Sequence, residues 1–210
     1  MSLPIAIFIL KEIRAAADAS MEMSAPRLAA TVILARPSAG GFELYMTRRS
    51  PGSGFAPDAY VFPGGTVDPQ DGEMPEALRN AAARELFEEA CVRLDPAALT
   101  PFSHWITPPS EPRRYDTHFF FAQAPPDQVA RADAFETHDG IWISPAQALQ
   151  RYRERSLHLV YPTIKHLERL LAFTSVGEIA DYARAKAIHT ICPDDSGDSF
   201  RIPPELENAW

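Results

Sequence analysis

Positions 28–35 (LAATVILA) are apolar and rich in branched residues, a run that predicts the first strand. A turn at 37–41 and the alternating segment 42–48 (FELYMTR) complete a hairpin. After a Gly/Pro loop over 50–57, a short strand at 59–62 delivers two glycines. A helix then runs from about 75 to 90, with Pro75 in its first turn. Further strands fall at 99–107, 114–122 (RYDTHFFFA) and 140–144 (GIWIS), separated by a stiff proline-rich loop at 107–112 and connecting structure at 125–134. Ser144-Pro145 caps a helix that ends near 153. Two more helices follow at 162–173 and 175–187, the second capped by Thr174 or Ser175, and 192–210 read as irregular. With no internal repeat and no interdomain linker, the order is that of a mixed α+β fold.

The N-terminal segment stands apart from this pattern. Residues 4–10 are apolar but too few to span a bilayer, and no basic region precedes them. Residues 11–19 form at most one or two helical turns. The segment 1–27 is an extension that packs either on the domain or on a second subunit, which makes a homodimer one expected state.

The helix at 75–90 carries the densest chemistry. At about 100° per residue, Glu85, Glu88 and Glu89 share one arc, while Leu86, Phe87 and Ala90 project elsewhere and are free to face a core. Like charges four apart cost roughly 0.2–0.5 kcal/mol, and anions at a helix C-terminus oppose its dipole by roughly 0.3–1 kcal/mol each. Arg84 offsets part of this by pairing with Glu88. A hard cation such as Mg²⁺ or Mn²⁺ would offset more, because such ions take carboxylate and carbonyl oxygens. Taken alone, Arg-Glu-x-x-Glu-Glu reads equally as a solvated acidic face. Upstream, Phe62-Pro63-Gly64-Gly65 reads as a strand end entering a turn without Cβ atoms, where backbone approaches a ligand closely.

Composition narrows the partners. The 210 residues are 46% hydrophobic, enough for one globular domain. A net charge of −8 and the lack of any Lys/Arg run argue against bulk nucleic-acid binding, and no stretch is long enough for a membrane span. Cys91 and Cys192 give no disulfide framework, so a reducing cytoplasmic setting is expected.

These residues together resemble the Nudix box, Gly-x5-Glu-x7-Arg-Glu-U-x-Glu-Glu-x-Gly-U, where U is aliphatic. Glu76-x7-Arg84-Glu85-Leu86-x-Glu88-Glu89 and Val92 follow the pattern. Two departures stand out. Ten residues separate Gly65 from Glu76 where the pattern has five, an insertion near 70–74, and Cys91 takes the place of the second glycine. That glycine normally supplies a left-handed cap. The resemblance covers about residues 28–173 and implies an αβα sandwich, a mixed sheet between helices, with 174–210 as a C-terminal helix and tail on the same domain.

What the resemblance implies chemically is metal-dependent hydrolysis of a pyrophosphate bond in a small nucleoside diphosphate derivative. Glu88 and Glu89 match the principal metal ligands, and Glu85 a ligand or general base oriented by Arg84. Glu76 matches a supporting carboxylate and Gly65 a backbone carbonyl ligand. Glu136, with Asp139 beside it, is a candidate for a further acidic residue. Arg48, Arg49, Arg113 and Arg114 are candidates for gripping phosphate. Phe55, Tyr60, Trp105 and Tyr115 are weighed as base-stacking or core residues. His104, His118 and His166 have no ligand spacing in sequence and read as structural. The segments SGFAPDAYVFPGG and PRRYDTHFF, with Trp105-Ile-Thr-Pro, further resemble the Nudix branch that includes a peroxisomal coenzyme A diphosphatase. That makes CoA or acyl-CoA a candidate substrate, although the final ENAW is not a peroxisomal address. The alternative reading is a Nudix-like module that senses a nucleotide without turnover.

Overall fold

The computed structural model describes residues 25–54, 56–132, 137–197 and 199–210. Almost all of the N-terminal extension, Phe55 and Glu136 therefore lie outside the described residues. In chain order the elements are β1 (Arg27–Ser38), β2 (Gly41–Arg49), β3 (Tyr60–Val61), β4 (Gly64–Thr66), α1 (Glu76–Ala90), β5 (Thr100–Ile106), β6 (Tyr115–Gln123), β7 (Thr137–Ile143), α2 (Pro145–Arg153), α3 (Tyr161–Leu170), α4 (Val176–Ala185) and β8 (Thr190–Ile191).

One mixed sheet of eight strands runs β3-β2-β1-β6-β5-β8, with β4 added to β1 and β7 added to β2. β1 is its axis. It pairs parallel with β6 from Arg27 to Ala35. Its other edge is shared: β2 takes Ala35 to Ser38, and β4 takes Ala29 to Thr31. β2 leaves β1 at Leu44 and continues alongside β7. The sheet splits there, and β4 occupies the opening.

Alternation along β1 and β6 divides the apolar residues between two faces. Ala30, Val32, Leu34, Phe120 and Ala122 face α1 and pack on Leu78, Ala81, Ala82 and Leu86. Ile33, Ala35, Phe119 and Phe121 face the other way, onto Leu167, Leu170, Ile179 and the tail residues Ile202 and Trp210. Helices on both faces of a mixed sheet make the expected αβα sandwich.

Several boundaries move for local reasons. β4 was not legible as a strand, because Gly-Gly-Thr has almost no side chain to pattern. β8 falls just before the stretch expected to be irregular and adds two residues beside His104 and Trp105. Ser144 caps α2, with Gln147 completing a capping box, and Ser175 caps α4. α3 closes at Leu170, earlier than 173, because the N–H groups of Ala172 and Phe173 turn to carbonyls three residues back. Cys91 ends α1 in the left-handed region at φ 56° and gives its N–H to Phe87 O, so the glycine's cap geometry survives without the glycine.

Candidate active site

The buried positions of α1 are 77 and 78, 81 and 82, 85 and 86, and 89 and 90. This is a single helical stripe, and its last two turns carry Glu85 and Glu89 where Leu or Ala would be expected. Both are buried, at 8% and 6% exposure. Glu88 lies off the stripe with its side chain half exposed. Phe87, expected to face a core, is instead exposed, and the Arg93 guanidinium lies 3.5 Å over its ring.

The double glycine explains how carboxylates enter a packed stripe. A Cβ on Gly65 would stand 2.3 Å from Glu85 Oε1, and one on Gly64 would stand 2.5 Å from the Ala30 carbonyl oxygen. Only bare backbone leaves room for the helix to lower its acids onto β4. The Gly64 N–H donates to Glu89 Oε2 at 3.0 Å.

Arg84 holds the cluster in position. Its Nη1 donates to Glu85 Oε1 at 2.8 Å and to Glu88 Oε2 at 2.9 Å, and its Nη2 donates to the Thr66 carbonyl at 3.0 Å. On the opposite side it meets Asp71 in a bidentate pair, Nε to Oδ1 at 2.9 Å and Nη2 to Oδ2 at 3.0 Å. Asp71 is buried, and its carboxylate also accepts the Asp68 N–H at 2.8 Å. Its own carbonyl accepts from Asn80 Nδ2 at 2.9 Å, one helical turn before Arg84. Burial by itself would raise the Asp71 pKa. The hydrogen bonds from Arg84 and Asp68 outweigh it and hold the carboxyl below its usual value. Arg84 is in turn held above its ordinary value, first by the bond to Asp71.

Asp71 is the member of the cluster that the sequence reading missed. It sits in the inserted loop, in a 3-10 turn at Pro69–Asp71. Two local signals were available: Asp68-Pro69-x-Asp71 has the three-residue spacing of a capping box, and Asp71 follows Gly65 at the box's own five-residue spacing. Glu76 is placed differently from expectation. It is exposed at the start of α1, nine residues before Glu85, and a rise of 1.5 Å per residue separates the two by roughly 13 Å along the axis. The structure thus sets Glu76 apart from Glu85 and Glu89, and the upstream acid that meets Arg84 is Asp71.

The remaining candidates scatter. Arg48 pairs with Asp58 at 2.8 Å on the surface, and Arg49 donates to Ser53 Oγ at 2.8 Å. Arg113 lies over Gly54, and Arg114 Nε donates to the Thr107 carbonyl at 3.0 Å. None of these contacts joins them to the carboxylates. Asp139 accepts from the Tyr60 hydroxyl at 2.8 Å. His166 is structural, as expected: it is fully buried, with Ser103 Oγ 2.6 Å from Nε2 and Pro162 O 2.6 Å from Nδ1. His104 and His118 are not independent, because the sheet sets them side by side with Asp116.

A cavity of about 300 Å³ opens on the α3 face of the sheet, lined by Ala56, Trp105, Thr117, Phe119, Leu159 and Tyr161 among others. Thr117 pairs with Ala29, which pairs with Thr66 beside Gly65. The cavity thus lies two strand spacings, roughly 10 Å, from β4.

A glycine-lined strand end under a helix that presents oriented glutamates is the arrangement the box pattern calls for. The chain belongs to the NUDIX family: its sequence matches the NUDIX domain over residues 25–162. By class it is a Nudix hydrolase. The acyl-coenzyme A diphosphatase NUDT19 of Homo sapiens is 23% identical over 249 residues, covering 72% of this chain and 66% of that protein. The chain therefore spans just under two thirds of that relative's length. A NUDIX hydrolase from Alicyclobacillus acidocaldarius superposes with a TM-score of 0.68 at 24% identity, covering 79% of this chain and 98% of the other. The NUDIX domain of Shewanella oneidensis NrtR, solved with ADP ribose, superposes at 0.56 with 17% identity, covering 71% and 88%. At these identities the structural likeness establishes the fold.

Proposed function

We propose that the protein hydrolyses the pyrophosphate bond of a nucleoside diphosphate derivative, with Mg²⁺ or Mn²⁺, and that coenzyme A or an acyl-CoA is its substrate. The carrying observation is the two-sided grip of Arg84, anchored on Asp71 and directing Glu85 and Glu88 toward the same side of α1 as Glu89. Three carboxylates and the Gly65 carbonyl make an all-oxygen donor set, which suits a hard divalent ion. One guanidinium shared among Asp71, Glu85 and Glu88 leaves the cluster net negative, a further fit to a cation. When bound, such an ion screens the phosphates and lowers the pKa of coordinated water.

In this reading Glu88 and Glu89 are ligands, and Gly65 offers its carbonyl. Glu85, fixed by Arg84, is a ligand or receives the proton of the attacking water. Arg84 does not touch substrate but keeps Glu85 and Glu88 from splaying apart. Support for the CoA substrate comes from the resemblance to the NUDT19 protein and from the apolar cavity, whose size and lining suit a pantetheine or acyl chain. Cys91 and Cys192 are free, and among the described residues no helix is long and apolar enough to cross a membrane. The cytoplasm is the proposed setting.

The test is phosphate release from CoA, acyl-CoA, ADP-ribose, NADH and dinucleotides with Mg²⁺ or Mn²⁺. Turnover of CoA or acyl-CoA that Glu88→Gln abolishes supports the proposal. Tight nucleotide binding with no turnover across the panel would establish the sensor reading instead.

A further inference from the structure

β5 and β6 run antiparallel in a register that sets His104 opposite His118. Asp116, two residues before His118, points to the same side. That side is the α1 face, since Phe120 and Ala122 continue the alternation into the core beneath α1. The two imidazoles stack with centroids 4.1 Å apart and planes 17° from parallel. His104 Nε2 lies 2.5 Å from Asp116 Oδ1, and His118 Nε2 lies 3.7 Å from the same oxygen. One donor atom from each residue falls within 4.8 Å of the other two. Behind His104, its Nδ1 is 2.8 Å from Thr190 Oγ1 on β8. The three side chains are 16%, 28% and 29% exposed, held by the sheet yet open to solvent.

Two ring nitrogens and a carboxylate oxygen are a mixed donor set, softer than the all-oxygen cluster on α1. Tetrahedral zinc with bonds of about 2.0–2.1 Å spaces its ligand atoms about 3.3 Å apart. The two nitrogen-to-carboxylate separations of 2.5 and 3.7 Å straddle that value, and ligation by both imidazoles requires the rings to turn out of their stack so that both Nε2 lone pairs aim at one ion. The Thr190 hydroxyl at Nδ1 fixes the ring and leaves Nε2 for the ion, the usual task of a partner behind a ligating histidine.

We propose that His104, Asp116 and His118 form a second metal site, taking Zn²⁺ or a similar transition ion with three protein ligands and one open position. It is separate from the carboxylate cluster. His118 pairs with Ala30 and Ala30 with Gly65, so two strand spacings, roughly 10 Å, lie between them on one sheet face. The bound ion clamps β5 to β6 and, through Thr190, holds β8 on the sheet edge.

The test is calorimetric titration of the full chain with Zn²⁺ in excess Mg²⁺, which occupies the α1 cluster. One equivalent of Zn²⁺ is expected, with affinity falling at least roughly tenfold in His118→Ala and in Thr190→Val and unchanged in Glu89→Gln. Zinc-edge X-ray absorption on the unaltered chain provides a readout independent of variant folding, and two imidazole nitrogens in the shell are expected. No binding, binding indifferent to His118 and Thr190, binding lost in Glu89→Gln, or an all-oxygen shell would each overturn the proposal.

Discussion

Asp71→Asn keeps the size of the side chain and removes one charge from the Arg84 clamp. An amide offers one acceptor and one donor, so one of the two bonds to the guanidinium becomes an N–H facing an N–H. Charge-assisted hydrogen bonds contribute roughly 1.5–3 kcal/mol, and breaking a fully buried pair costs roughly 3–5 kcal/mol. The lower range applies here, because Arg84 keeps Glu85, Glu88 and the Thr66 carbonyl and is 17% exposed. At roughly 2–4 °C per kcal/mol for a domain of this size, the melting temperature should fall by roughly 3–12 °C. The catalytic effect should be larger in proportion. A misplacement of about 1 Å in a reacting group costs about 10²-fold, and here the guanidinium that positions Glu85 and Glu88 loses half of its backing on Asp71. With CoA and saturating Mg²⁺, kcat should drop by at least about tenfold while KM changes little, since Asp71 lies behind Arg84. The Asp71 carboxyl is held below its unfolded value, so its stabilisation is present above that value and lost as pH falls through the folded one. The variant should therefore lose part of the wild type's acid sensitivity. A folded Asp71→Asn enzyme with unchanged kcat would refute the anchoring argument.

The paired glycines should respond differently. Gly65→Ala meets the carboxylate end of the Glu85 side chain rather than backbone and should fold with its activity sharply reduced, whereas Gly64→Ala meets the Ala30 carbonyl and should lose roughly 1–3 kcal/mol in a denaturant melt. Glu89→Gln relieves repulsion without opening a cavity, so metal-dependent turnover should collapse while the metal-free melting temperature holds. Burial lowers the His166 pKa to about 3, so its contribution to stability is complete above about 6.5 and declines as pH falls below that. Between pH 7 and 5 urea melts should show a loss of roughly 2 kcal/mol that is absent from His166→Gln. Cys91→Gly removes a left-handed strain of roughly 1–2 kcal/mol, partly offset by glycine's unfolded-state entropy, and should raise the melting temperature by a few degrees.

The strands and helices with strong periodicity were legible, and so was the cluster of Arg84, Glu85, Glu88 and Glu89, because helical spacing alone places those four together. Gly64 and Gly65 were legible as a place of close approach, though what approaches is the Ala30–Thr31 backbone at Gly64 and Glu85 itself at Gly65. Long-range contacts were not legible. Asp71 reaches Arg84 across a turn whose geometry no periodicity reports, and Glu76 looked equivalent because the spacing was matched back from Arg84, whereas the box's five-residue spacing counted forward from Gly65 ends on Asp71. His104 and His118 meet through strand register, which depends on the bulge between Pro101 and Ser103. The arginines were assigned by residue type, and type does not say which neighbour a long side chain will take.

The parallel pairing of β1 with β6 has an evolutionary consequence. The carboxylate cluster on α1 takes its position from one side of that ribbon, and the cavity takes its walls from the other. Side chains around the cavity can change in bulk or polarity, and α3, α4 and the tail can be traded for other segments, while a backbone laced by nine residue pairs insulates the hydrolytic geometry from the change. A lineage built on this frame can acquire new cargoes without relearning its reaction.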